Sequence, residues 1–179
     1  MDIFNNYFKK LEKVYAQEFG TLPTLTYTNS INKVLLVGDV NDDEEIQWRA
    51  VKQDKNIDWQ RIEKIIGFAV NEELKEYYST FYFVTITGSV SNVYFRLFSV
   101  GATKDVERDI KQHFADGKYD FSSSQIFLIG ECSVGTDDSY FVYYDNNSKE
   151  VFCYDRETKH KVVLADSLIT LFRVIEVEY

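Results

Sequence analysis

Few residues here could do histidine, cysteine or proline chemistry: 179 residues contain one proline, two cysteines, two histidines and eight glycines. A single proline and no Ser- or Pro-rich stretch leave nothing to mark a linker, so one domain with a sizeable core is expected. The longest aliphatic run is Val34 to Val37, and the start, Met1 to Lys10, sets Asp2 and two asparagines before its lysines. Neither a signal peptide nor a spanning helix is expected, which predicts a cytoplasmic protein. Cys132 and Cys153 lack Cys-x-x-Cys spacing, so zinc gets no support and reduced thiols packed in strands are expected. His113 falls in a helical pattern and His160 in a polar bridge, both expected at solvated or helix-terminal positions. Two such histidines are too little material for an acid–base or nucleophilic constellation. There is also no Gly-x-Ser-x-Gly elbow, phosphate loop or Gly-x-Gly-x-x-Gly turn, so neither an enzyme nor a cofactor is expected.

Positive charge is the scarcer sign: 20 Lys and Arg stand against 29 Asp and Glu, a net charge of −9 and a pI near 4.8. That field repels phosphate backbones and acidic lipid, so neither nucleic acid nor direct lipid binding is expected. It attracts a basic protein surface and speeds its encounter. The acids are densest at Asp39, Asp42, Asp43, Glu44 and Glu45, just before Trp48, with Asp137 and Asp138 as a second acidic turn. Asp39, Asn41 and Asp43 match the first ligand positions of a calcium loop. Glu44 then stands where the sharp turn needs Gly, and Ala50 where a bidentate Glu is required. The bland reading of the acidic run is a solvated loop; the sharper one is a partner-facing patch with Trp48 as an anchor.

Apolar periodicity supplies the fold class. Ile3, Phe4, Tyr7, Phe8, Leu11, Val14, Tyr15 and Phe19 recur at helical spacing behind Asp2, with Gly20 and Pro23 as a stop. A strand follows at Asn32 to Gly38. Two short helices start at Asp58 and Asn71, the first broken by Gly67. Phe81 to Thr87 and Val93 to Val100 read as a hairpin turned by Gly88 to Asn92. Thr103 is expected to cap a helix carrying Val106, Ile110 and Phe114 and ended by Gly117. Strands at Ile126 to Ile129, Tyr140 to Tyr144 and Val151 to Tyr154 precede a polar bridge. Asp166 then opens a closing helix through Leu168, Leu171, Phe172 and Ile175. The pattern predicts an α+β domain, residues 1–179, on a largely antiparallel sheet of about six strands flanked by helices.

The helix at Val106 to Phe114, the strand Ile-Phe-Leu-Ile-Gly at Ile126 to Gly130, the hairpin Tyr140 to Asp155 and Leu164 to Phe172 together resemble the SUKH superfamily. Within it the chain is most similar to the Syd branch. The pair of segments with Ile62, Glu63, Ile66, Gly67 and Phe68, then Leu74, Tyr77 and Tyr78, fits as well. The resemblance covers roughly Asp58 to the C-terminus. It implies a non-enzymatic binding domain. Many members of the superfamily are immunity proteins that neutralise toxins, often nucleases, whereas the Syd branch implies contact with the cytoplasmic side of the SecY translocon. Partner-binding residues differ between members, so the resemblance assigns none here.

Overall fold

A computed structural model describes residues 3–178 except Lys104 and Ser123, with the Asp138 side chain also outside the description, as is Asp2 ahead of the first helix. In chain order the elements are α1 (Ile3–Glu18), β1 (Thr24–Thr26), a 3-10 turn (Lys33–Leu35), β2 (Leu36–Val37), β3 (Glu45–Trp48), β4 (Val51–Lys52), α2 (Trp59–Ile66) and α3 (Glu72–Thr80). Then come β5 (Phe81–Tyr82), β6 (Ile86–Val90), β7 (Val93–Leu97), α4 (Val106–Asp120), β8 (Ile126–Val134), β9 (Asp137–Asp145), β10 (Val151–Asp155), β11 (Lys161–Ala165), α5 (Leu168–Val174) and β12 (Glu176–Val177). The large sheet has seven strands in the order β11-β10-β9-β8-β7-β6-β12, all antiparallel. A small sheet, β1-β3-β2, and the pair β4-β5 complete the α+β fold.

Local chemistry explains the helix ends. Asp58 accepts from the Arg61 amide and Asn71 from the Glu73 amide, each filling a donor the helix leaves open, and Gly67 closes α2 at φ 91°. Two caps differ from expectation by one or two residues. Asp105, not Thr103, accepts from the Arg108 amide, and Ser167, not Asp166, accepts from the Thr170 amide. Expected breakers also turn out to lie inside elements. Gly117 sits within α4, where a Cβ would run into the Ile126 carbonyl, and Gly88 lies within β6, where one would meet Ile175. Both glycines serve close approach rather than chain reversal, and the β6–β7 turn shrinks to Ser91 and Asn92. Only Leu36 and Val37 of the Asn32 to Gly38 segment extend, because Asn32 caps the 3-10 turn before them. β11 occupies the second half of what reads as a polar bridge.

The helices cover the sheet face that carries Phe95, Leu97, Phe127, Ile129, Val142 and Tyr144. Phe4 and Tyr7 of α1 meet Phe172 of α5 edge to face at 4.8 and 5.7 Å, each buried ring contributing on the order of 2 kcal/mol. The Tyr7 hydroxyl donates to the Thr87 carbonyl at 2.7 Å and accepts from its amide at 3.0 Å, locking α1 to β6. On the opposite face Ile126, Leu128, Tyr143 and Phe152 form a smaller cluster under Phe121, at the end of α4.

His113 and both cysteines depart from their expected settings, whereas His160 is exposed as expected. His113 is buried, its Nδ1 sharing a hydrogen bond of 2.7 Å with the buried Tyr78 hydroxyl, and burial pulls its pKa down to about 4. Helix α4 presents this side to the core because Val106, Ile110 and His113 share one stripe. His160 is exposed but engaged, with Nδ1 2.8 Å from the Tyr140 hydroxyl. Cys132 and Cys153 are joined as a disulfide rather than packed as thiols, because β8 and β10 flank β9 and aim both sulfurs into the same core.

Candidate functional site

Two surfaces differ in how they hold charge. The first is the loop between β2 and β3. Asn41 ties it: its amide donates to the Glu45 carbonyl at 2.8 Å, and its Oδ1 accepts from the amides of Asp43 and Glu45 at 3.0 and 2.8 Å. Asn is suited to this because its short carboxamide can bond backbone two residues on. Glu44, at φ 61°, completes the reversal, and its carbonyl accepts from the Tyr27 amide at 2.8 Å. Asp39, Asp42, Asp43 and Glu44 are exposed on this ordered tip and Glu45 is half-buried. Among the described residues no ion pair engages any of the five.

Trp48 belongs to this hairpin but not to its surface. It is 2% exposed, its amide donates to the Pro23 carbonyl at 2.8 Å, and its ring is core, so it supports the loop from beneath and offers a partner no face. Trp59 is half-buried and donates from Nε1 to Ser79 Oγ. Asp137 stands exposed at the β8–β9 turn, accepting from the Ser139 amide and hydroxyl. That turn adjoins Asn92, by the Val93 end of β7, whereas the small sheet abuts the Leu97 end through a cavity shared by Thr24, Leu25, Trp48 and Leu97. The two acidic turns are therefore separate features.

The second surface is the face of the large sheet turned away from α1. Strand register aligns Thr87, Arg96, Glu131, Phe141, Tyr154 and Lys161 in one row across six strands. A cavity of about 540 Å³ lies over the β6 to β9 part of that row, with Tyr94, Arg96, Glu131, Phe141 and Glu178 among its walls. Arg96 pairs with Glu131 in it. Further along, the Arg156 guanidinium stacks 3.9 Å over Phe141 and donates to Asp120 Oδ2 at 2.9 and 3.1 Å. Asp120 also accepts from the Tyr143 hydroxyl at 2.7 Å, and burial holds that phenol well above its ordinary pKa. Lys161 lies 4.1 Å over Phe152 and pairs with Glu150. Every cation in this group has both a ring and a carboxylate or a carboxylate alone as partner, so the face is nearly neutral and self-satisfied.

Sequence reasoning passed over Arg96, Glu131, Asp120 and Arg156. The alternation Val93, Tyr94, Phe95, Arg96, Leu97 carried the signal that one face of β7 is polar, but not which residues would meet it. Chemically, the described residues hold no group of three His, Cys, Asp or Glu placed to bind a metal, and no helix among them is long and apolar enough to cross a membrane.

An antiparallel sheet with one helix-covered and one open face agrees with the SUKH-type architecture expected from the motifs. The chain belongs to the Syd family: the model described as Syd protein (SUKH-2) matches residues 1–176, taking in α1 and the small sheet as well as the part recognised from motifs. Family membership supports a protein-binding role. No curated protein matches the chain.

Proposed function

We propose that the chain is a cytoplasmic bacterial immunity protein, without catalytic activity of its own, that neutralises a basic toxin domain, of nuclease type, by occluding it with an acidic surface. The observation that carries this reading is the β2–β3 tip, where Asn41 holds Asp43, Glu44 and Glu45 in place and, among the described residues, neither these acids nor Asp39 and Asp42 spend charge on an ion pair. Carboxylates that are ordered and unpaired lose little entropy on docking and steer a cationic partner from a distance. Asp137, with Asp138 beside it in sequence, supplies a second acidic turn that a large partner reaches separately.

The Syd match favours a second reading, in which the same acids engage basic cytoplasmic loops of SecY. Pull-down from the native host at low and high salt, with the chain and with an Asp42→Lys, Asp43→Lys, Glu44→Lys variant, separates the readings. Recovery of a basic toxin domain that salt releases and the variant fails to capture is expected. Recovery of SecY moves the protein to the second reading, and capture unchanged by the variant removes the loop from the interface.

A further inference from the structure

The edge strands of the two sheets are guarded unequally. In the large sheet β11 carries Lys161 and a register shift against β10, and β12 is a pair of residues that includes Glu176. Charge, irregular pairing and shortness all discourage a further strand from adding. At one edge of the small sheet, β1 pairs with β3 alone among the described residues. Its ladder runs past Thr24–Thr26 at both ends, because the Trp48 amide donates to the Pro23 carbonyl and the Tyr27 amide to the Glu44 carbonyl, each at 2.8 Å. Those two bonds fix the alternation. Pro23, Leu25 and Tyr27 turn their main-chain groups to β3, so Thr24 and Thr26 turn N–H and C=O outward. Both threonines are exposed, and no residue from Phe19 to Asn32 is charged. Beside this edge a cavity of about 400 Å³ lies between Thr24 and Leu25 on one side and Val84, Thr85 and Phe98 on the other.

We propose that the free edge of β1 is a strand-addition site, on which an extended segment of a basic protein partner pairs antiparallel, with lysine or arginine at its N-terminal end. The inference rests on the acidic tip receiving that partner and names the part of the partner that meets the chain. Antiparallel addition lets Thr24 and Thr26 each exchange two hydrogen bonds with the residue opposite. Because this edge carries no charge, no ion has to be desolvated when the strand arrives. Position then decides where the partner's cations belong. β1 runs toward the acidic tip, since Thr26 lies opposite Glu45 and Tyr27 bonds Glu44. An added strand stands two strand spacings from β3, roughly 9.6 Å, so cations at its N-terminal end face the acids of the tip across β1. At the other end the cavity wall includes Arg96, already paired with Glu131, and nothing there calls for a cation. Residues opposite Leu25 and Tyr27 share the face of those side chains and are apolar; those opposite Thr24 and Thr26 point outward with the threonines.

The test titrates the full chain with the capped peptide Lys-Arg-Lys-Val-Thr-Val-Thr, reading affinity by fluorescence anisotropy and amide hydrogen exchange by NMR. The peptide should slow exchange at Thr24 and Thr26 by about tenfold or more and leave α1 unchanged. Thr26→Pro removes an outward N–H without touching the β1–β3 ladder and should weaken binding by about tenfold, whereas Thr26→Val keeps that N–H and should stay within about twofold. Where Thr26→Pro disturbs β1 itself, N-methylation of the peptide's first threonine removes the ladder from the other side and should cost as much. The reversed peptide, Thr-Val-Thr-Val-Lys-Arg-Lys, should bind about tenfold more weakly at low salt. No slowing at Thr24 and Thr26 at the highest soluble peptide concentration, or equal affinity of the two peptides, would overturn the proposal. The Asp42→Lys, Asp43→Lys, Glu44→Lys variant separates it from the reading it rests on. Loss in that variant but not in Thr26→Pro overturns strand addition and leaves the acidic tip as the contact; loss in Thr26→Pro alone overturns the role of the tip and leaves the β1 edge.

Discussion

The two sheets treat their charged residues in opposite ways. On the open face of the large sheet Arg96 meets Glu131, Arg156 meets Asp120 and Lys161 meets Glu150, whereas the tip of the small sheet gathers five acids with no cation among them. Paired charges belong to the architecture: each ties together two separate segments of the chain. Unpaired acids on an ordered loop contribute nothing to internal attraction and repel one another, so their value lies outside the chain. The large sheet is where replacement should cost stability, and the small-sheet tip where it should cost association.

The largest effect is expected at Asp120, whose side chain is 7% exposed and which holds both Arg156 and Tyr143. Asp120→Ala leaves a guanidinium and a phenol without their acceptor and should cost about 3 kcal/mol in denaturant unfolding. Arg96→Ala, at a pair exposed on both sides, should cost less than about 1 kcal/mol. Equal costs would break the distinction between buried and exposed pairing on that face.

Acid should expose a second contrast, between buried groups of opposite sense. The folded pKa of His113 is about 4, below its ordinary value of 6.5, so between those values only the unfolded chain is protonated and stability falls as pH falls. Burial pushes Asp109 the other way, from 3.8 up to about 6, so the folded chain takes its proton first and stability rises over much of the same window. The two effects oppose each other. Asp109→Asn should uncover the histidine, giving a loss of about 3 kcal/mol between pH 7 and pH 4 relative to the unmodified chain. His113→Gln should reverse the slope. Chemical denaturation across pH reads both, and parallel pH profiles for the two variants would refute the assignment.

A smaller change is expected for Gly88→Ala, about 2 kcal/mol, because the added methyl must displace Ile175 where β12 pairs with β6. A melting temperature unchanged by this substitution would mean that α5 and β12 yield more readily than their packing implies. Least of all should Asp42→Lys with Asp43→Lys affect stability, by under about 0.5 kcal/mol, while slowing association with a basic partner and flattening its salt dependence. A large loss of stability there would place the loop acids with the architectural charges.

Much of the fold could be read in advance wherever a local rule governed. Asp58 and Asn71 cap helices because their side chains reach amides two or three residues on, and Leu168, Leu171 and Phe172 enter the core because helical spacing aligns them. The acidic loop was legible for the same reason, being a matter of composition. What stayed hidden depended on contacts between distant segments. Thr24 to Thr26 is too short to signal a strand and extends only because Glu45 to Gln47 pairs with it. Gly88 and Gly117 looked like breakers because a glycine that ends an element and one that admits a neighbour are identical in sequence.

By itself the sequence determined the α+β class, the amphipathic helices with most of their ends, the acidic balance and the family, all set by residue identity and short-range spacing. Tertiary structure alone decided that Trp48 and His113 are interior, that Cys132 reaches Cys153, and that the cations of the large sheet are matched while the acids of the small one are not. Burial and pairing are properties of what surrounds a side chain, and here those surroundings arrive from segments far away along the chain.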